Sequence, residues 1–211
     1  MEVGFAPSFE KSLKKLIWHE SKLYKFYAFF RYDIVRFCKN VWRFRKALNR
    51  YYWWDHHGSL MFMETSFVHM ADNIEKRGNE IDESRLKKVA AMRRTIELIR
   101  NYNADLYIDM AEAELGEIVH HGWEFEDVPD KPGYSRIVDQ DTEEEKIHNR
   151  KVYDRAREIE EQEWNELWQN LKGQDHEEYN ELAKTFTEEE RRERDRYYEW
   201  FNGTGLRGWW D

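Results

Sequence analysis

The residues of this chain best suited to chemistry lie in one stretch, Arg50 to His57, which reads RYYWWDHH. A guanidinium forks onto phosphate oxygens and a flat ring stacks on a base, so Arg beside Tyr and Trp offers what a nucleotide needs. Arg43 and Arg45 add cations just before the stretch. His56 and His57 follow at a helix start, where the positive end of the helix dipole favours an anion. The candidate ligand-binding set is therefore Arg43, Arg45, Arg50, Tyr51, Tyr52, Trp53, His56 and His57, joined by His69 and Arg93 on the two following helices. Packing competes with this account, because a chain with 16% aromatic residues buries many rings, and a double Trp before a capped helix also serves as an anchor.

Metal chemistry has a weaker basis. Glu117 with His120 and Glu145 with His148 each place two ligand types on one helical face, as in di-iron bundles. The lone Glu ligands that would complete such a site are not identifiable, so no metal ligand is assigned. His56, His57, His69 and Asp72 share residue types with metal-dependent phosphohydrolases, without the full ligand order. EEYNE from Glu177 and EEERRE from Glu188 match half of the magnesium motif of all-helical nucleotide pyrophosphatases, and the answering Glu-x-x-Asp is missing. No Gly-rich phosphate loop and no Ser, His, Asp ordering is present. Binding rather than catalysis is the reading, with no catalytic residue and no cofactor assigned.

These side chains must be positioned by helices. Three Pro and ten Gly among 211 residues, against abundant Glu, Lys, Arg, Leu and Ala, predict an all-α, multi-helix bundle of about five to seven helices. A single domain over residues 1–211 is expected. Within it lie basic, aromatic helices over 1–54, a central helical hairpin over 55–121, a loop over 122–140, and acidic helices with a tail over 141–211. Ser8 is a cap for a first helix with Leu13, Leu16 and Ile17 inward. Asp33 is a cap for a second, with Ile34, Phe37, Cys38, Val41, Trp42 and Leu48 buried, unless the two are one long helix.

Asp55 caps a helix whose stripe is Leu60, Met63, Phe67, Met70 and Ile74, stopping at Gly78. Asp82 caps the next, with Leu86, Val89, Ile96, Ile99 and Leu106 inward, and a helical pattern continues to His120. After the Pro-containing loop, Thr142 opens a helix to about Leu171 with Ile159, Trp164, Leu167, Trp168 and Leu171 as its apolar positions. Thr187 begins a capping box.

Charge is strongly polarised along the chain. The total is -9, yet residues 1–57 carry +7, leaving -16 for the rest. Such a chain can hold an anion with one part and repel bulk nucleic acid with another, so extended nucleic acid is not an expected partner; an acidic surface that mimics nucleic acid is an alternative. No run approaches the length of an uncharged span, so no membrane partner is expected. The N-terminus lacks a signal-peptide pattern, and the lone Cys38 forms no internal disulfide; a cytoplasmic location is expected.

Several segments together resemble a family of small helical proteins encoded by large tailed bacteriophages. They are NVWRFRKALNR, Trp54 and Asp55 opening a helix, MADNIEKRG, ESRLKKV, and the terminal Trp209, Trp210 and Asp211. The resemblance covers roughly residues 40–110 and the last few, while residues 122–187 have no counterpart in it. It implies a phage protein acting inside an infected cell. By analogy it implies a homo-oligomer that sequesters a nucleotide-derived immune signal, of cyclic or ADP-ribose type, without turning it over. A protein that inhibits or scaffolds a host or phage protein is the alternative, and a metal-dependent nucleotide hydrolase the third.

Overall fold

The computed structural model describes residues 21–193 and 195–209, and these form a predominantly helical arrangement with one small two-stranded sheet. Ser8, Leu13, Leu16, Ile17, Trp210 and Asp211 lie outside the described residues. Contacts group the chain into two compact units, residues 1–65 and 66–211.

In the first unit, α1 (Lys22–Ala28) and α2 (Val35–Arg50) are joined by a π-helical turn, Phe29–Ile34, and the backbone stays right-handed helical across both junctions. They are therefore one continuous helix, about 40 Å long at 1.5 Å per residue. Asp33 does not cap anything; inside the π turn, its carboxylate accepts from Arg36 at 2.6 Å. The cap belongs to Ser21, whose hydroxyl accepts from the Tyr24 amide.

Burial along this helix departs from expectation. Phe37 is 65% exposed and Trp42 68%, while Ile34, Cys38, Val41 and Leu48 are exposed as well. Ala47 is buried, and Phe44 stacks on Phe62 of α3 (His56–Arg77) with ring centroids 5.6 Å apart. The face chosen for packing is thus narrow. Small Ala47 lets the backbone approach, and Phe44 fills the gap beside it. Tyr51 meets Phe62 edge-on at 5.5 Å, a contact that requires Gly58, since a Cβ there would lie 2.8 Å from the Tyr51 ring.

The second unit has the larger core. Phe67, Ala71 and Ile74 of α3 are buried along the expected stripe, with Met63 and Met70 half-buried. Next comes α4 (Asp82–Ala104), in which Val89, Met92, Ile96, Leu98 and Ile99 are buried. Leu86 is not; it is 56% exposed. Asp82 is the first helical residue rather than the cap, pairing with Arg85 at 2.6 Å and favourably placed beside the helix dipole. The helix ends where Asp105 takes a left-handed conformation at φ 51, so the run toward His120 is broken there.

It breaks again after α5 (Tyr107–Leu115), at Gly116, and residues 116–122 carry no helix. The expected loop contains an antiparallel hairpin, β1 (Trp123–Asp127) with β2 (Ser135–Asp139), Phe125 facing Ile137 in register. Both strands lie almost wholly exposed.

Thr142 and Glu145 form the capping box of α6 (Glu143–Lys172). Tyr107, Ala111, Val152 and Ala156 bring α5 against it, with Ile159 packed alongside. Leu167 is buried, whereas Trp164 and Trp168 are exposed, because the apolar stripe of this acidic helix is one residue wide there. The chain continues through α7 (His176–Ala183), α8 (Glu188–Glu193), opened by the expected Thr187–Glu190 box, and α9 (Asp195–Trp200). The tail returns to α4: Lys87 donates to the carbonyls of Tyr198 and Phe201, and Gly203 runs so close that a Cβ would meet the Lys87 backbone at 2.2 Å. Trp209, 1% exposed, donates from Nε1 to the Gly203 carbonyl and stands edge-on to Phe67 at 5.3 Å.

Candidate functional site

The α1–α2 helix sorts its side chains by type. Nine of its residues from Lys22 to Arg50 are Lys or Arg and one, Asp33, is acidic. Within α2, Arg36, Lys39, Arg43, Lys46 and Arg50 recur at steps of three and four and form one basic face. Ile34, Phe37, Cys38, Val41 and Leu48 fall on the opposite side at 100° per residue, with Trp42 at the border between the two faces. Among the described residues no ion pair is made by Lys39, Arg43, Lys46 or Arg50.

An open groove of about 640 Å³ runs along Arg31, Tyr32, Val35, Arg36, Lys39, Asn40 and Arg43. Four cations and a tyrosine ring there have the chemistry to hold phosphate groups and support a base. The spacing that builds the groove, adjacent residues repeated every four positions, was visible as a pattern.

Of the sequence-predicted set, Arg43 alone lines this groove. Arg45 folds back over the Trp42 ring, 4.1 Å from its centroid, and donates to the Trp42 carbonyl at 2.6 Å. Arg50 ends α2 in an exposed position, and Tyr51 is committed partly to Phe62. Tyr52 packs on Trp54 with centroids 5.2 Å apart, and Trp53 is 82% exposed. Trp54, read as a packing anchor, is itself 68% exposed. Asp55 does act as the cap: its Oδ1 accepts from the His57 amide at 2.9 Å. The rings of His56 and His57 lie 4.4 Å apart, and the donor atoms of Asp55, His56 and His57 fall within 4.8 Å of one another. These three are the described residues with the proximity to share a cation, although the cap already uses one Asp55 oxygen.

His69 and Arg93 belong to the second unit. His69 is exposed. Arg93 is engaged by Asp72 and by Glu75 at 3.0 Å, and that pairing holds the Asp72 carboxyl below its ordinary value. It is an α3–α4 tie rather than a phosphate fork. Arg94 and Arg155 are likewise spent, forked on Glu166 and Glu114 respectively, beside a groove of about 510 Å³.

The Glu-x-x-His pairs do not assemble a metal centre. His120 Nδ1 meets Asp141 Oδ2 at 2.9 Å and its Nε2 meets the Tyr153 hydroxyl at 3.3 Å. His121 Nε2 meets Glu145 at 2.9 Å, and His148 reaches only the Glu117 carbonyl. Buried Asp141 also accepts from the His121 amide at 2.8 Å; that bond, followed by His120, holds its carboxyl low. Glu145, bonded first by His121 and then by Thr142, is lowered to about 2, and His121 is raised in return. The cluster latches the base of the hairpin, His120 and His121 entering it and Asp141 leaving it.

No protein-family model, curated protein or solved structure matches this chain.

Proposed function

We propose that the protein is a non-catalytic binder of a nucleotide-derived anion, of cyclic or ADP-ribose type, sequestered at the basic face of the α1–α2 helix in an infected bacterial cell. The observation that carries this reading is the groove along Arg31, Tyr32, Arg36, Lys39 and Arg43, where cations outnumber the neighbouring carboxylate. A binder needs a preorganised surface and no nucleophile. Because the groove is open, a homo-oligomer that closes it is part of the proposal, as is the phage origin that the family resemblance implies.

Native mass spectrometry against cyclic and ADP-ribose nucleotides tests it. Intact ligand should stay bound, and Arg43→Ala should weaken binding about tenfold, the loss of one charge-assisted contact. Shortened ligand would indicate a hydrolase instead, and no binding at micromolar concentration ends the idea. A second reading, an inhibitor or scaffold of a partner protein, is favoured by the exposed Phe37, Val41 and Trp42 row.

A further inference from the structure

The apolar face of the α1–α2 helix is not used by the nucleotide reading, and it is large. Leu23 is 72% exposed and Phe26 66%, and Phe29, Phe30, Phe37, Val41 and Leu48 all lie open. The turn after it adds Tyr52, Trp53 and Trp54, again exposed. Scattered exposed apolar residues need no explanation, but a continuous ridge about 40 Å long does.

We infer that this helix docks in the plane of an anionic lipid bilayer, its aromatic face in the headgroup–acyl boundary and its cations on lipid phosphates. Three observations select this occupant. The first is charge: Lys22 to Arg50 carries nine cations and one acid, net +8, matched to a surface of uniform negative sign. A second copy of the chain would instead bring two such helices together. The second is the sorting of faces in α2, five cations opposite Phe37, Val41 and Leu48 with Trp42 at the border between the faces, as an interfacial helix requires. The third is the aromatic content: Trp and Tyr rings favour the polar–apolar boundary, and Trp53 and Trp54 stand exposed in the turn that follows the helix. Arg45, the one cation on the apolar side, already folds its guanidinium over Trp42 and can reach the headgroup level by bending.

No helix is long and apolar enough to cross a membrane, and none is needed for a helix that lies along one. The expectation of no membrane partner, which rested on the lack of a span, is therefore narrowed. The inference goes beyond the nucleotide reading and does not depend on it.

Cys38, the only cysteine, sits exposed on the apolar face and provides the test. A polarity-sensitive fluorophore on Cys38 of the full chain should shift to the blue on adding phosphatidylglycerol-containing vesicles and stay unchanged with pure phosphatidylcholine. Binding should fall steeply with salt. Arg36→Gln, Lys39→Gln and Arg43→Gln together should weaken it by roughly a hundredfold, about fivefold per cation. Phe37→Glu with Trp42→Glu should abolish cosedimentation with unlabelled protein, helical circular dichroism being retained because both sites are exposed.

Equal binding to both vesicle types, or none to either, overturns the proposal. A blue shift that follows protein concentration without vesicles assigns the face to a second copy, and a response to nucleic acid but not to vesicles assigns it to nucleic acid; each overturns it too. Nucleotide binding measured without vesicles stands or falls separately.

Discussion

The same residue types serve opposite ends in the two units. In the second, Trp209 is buried, its indole N–H satisfied, and Arg93, Arg94 and Arg155 each grip a carboxylate. In the first, Trp42, Trp53 and Trp54 are exposed, and Lys39, Arg43, Lys46 and Arg50 make no ion pair among the described residues. Formal charge follows the division, +6 for residues 1–65 and -15 for residues 66–211. A large ring is costly to leave in water and a guanidinium is not; one unit spends both groups on its own stability and the other leaves both exposed, side by side.

Truncating one tryptophan on each side is the sharpest way to break that contrast. Trp209→Ala should cost about 3–5 kcal/mol in chemical denaturation, from lost packing against Phe67 and a cavity too large to collapse. Trp53→Ala should change stability by less than about 0.5 kcal/mol. Similar losses in both would mean that the first unit is packed in solution after all. A smaller effect probes the helix that carries most of the acid: Thr142→Ala removes the hydroxyl that accepts from the Glu145 amide, leaving the backbone N–H at 142 to donate to Glu145, and should cost about 1 kcal/mol.

The smallest effect is a pH dependence at the hairpin base. His121 is raised above its ordinary 6.5, so its contribution is complete below that value and fades as pH rises through the raised one. Glu145 is depressed from 4.5 to about 2, so its contribution is complete above 4.5 and fades as pH falls toward 2. The pair is therefore at full strength between 4.5 and 6.5. His121→Gln should differ most from the parent in melting temperature near pH 5.5, about the middle of that window, and converge with it in alkali. A difference independent of pH would mean that the latch acts through shape alone.

Some local signals in the sequence held and others, the caps expected at Asp33 and Asp82, did not. The Leu60 to Ile74 stripe, the Asp55 cap, the helix start at Thr142 and the Thr187 capping box were legible because each is decided by contacts between residues a turn or less apart. What covers a face is not local. The α2 stripe predicted burial for Phe37 and Trp42, and periodicity says only that such residues share a side, not that anything lies there. The hairpin escaped notice because Trp123 and Phe125 alternate over just five residues and pack on nothing. The role of one Glu-x-x-His pair was not legible either: Glu145 satisfies Thr142 next to it and His121, a partner that only the folded chain brings to it. At the candidate site, residue types were legible and their grouping was not. Arg43 was named, whereas Arg31, Tyr32 and Lys39, which share its groove, were passed over.

The contact between Phe67 and Trp209 also fixes an order of events during synthesis. Phe67 leaves the ribosome well before the ring that shields it is made. Until Trp209 emerges, the α3 face bearing Phe67 has to wait without its final cover, and the carbonyls of Tyr198 and Phe201 cannot yet reach Lys87. The second unit therefore completes its core only after translation of the tail, and a stalled or clipped chain would display its most apolar helix face to whatever chaperone or protease is nearby.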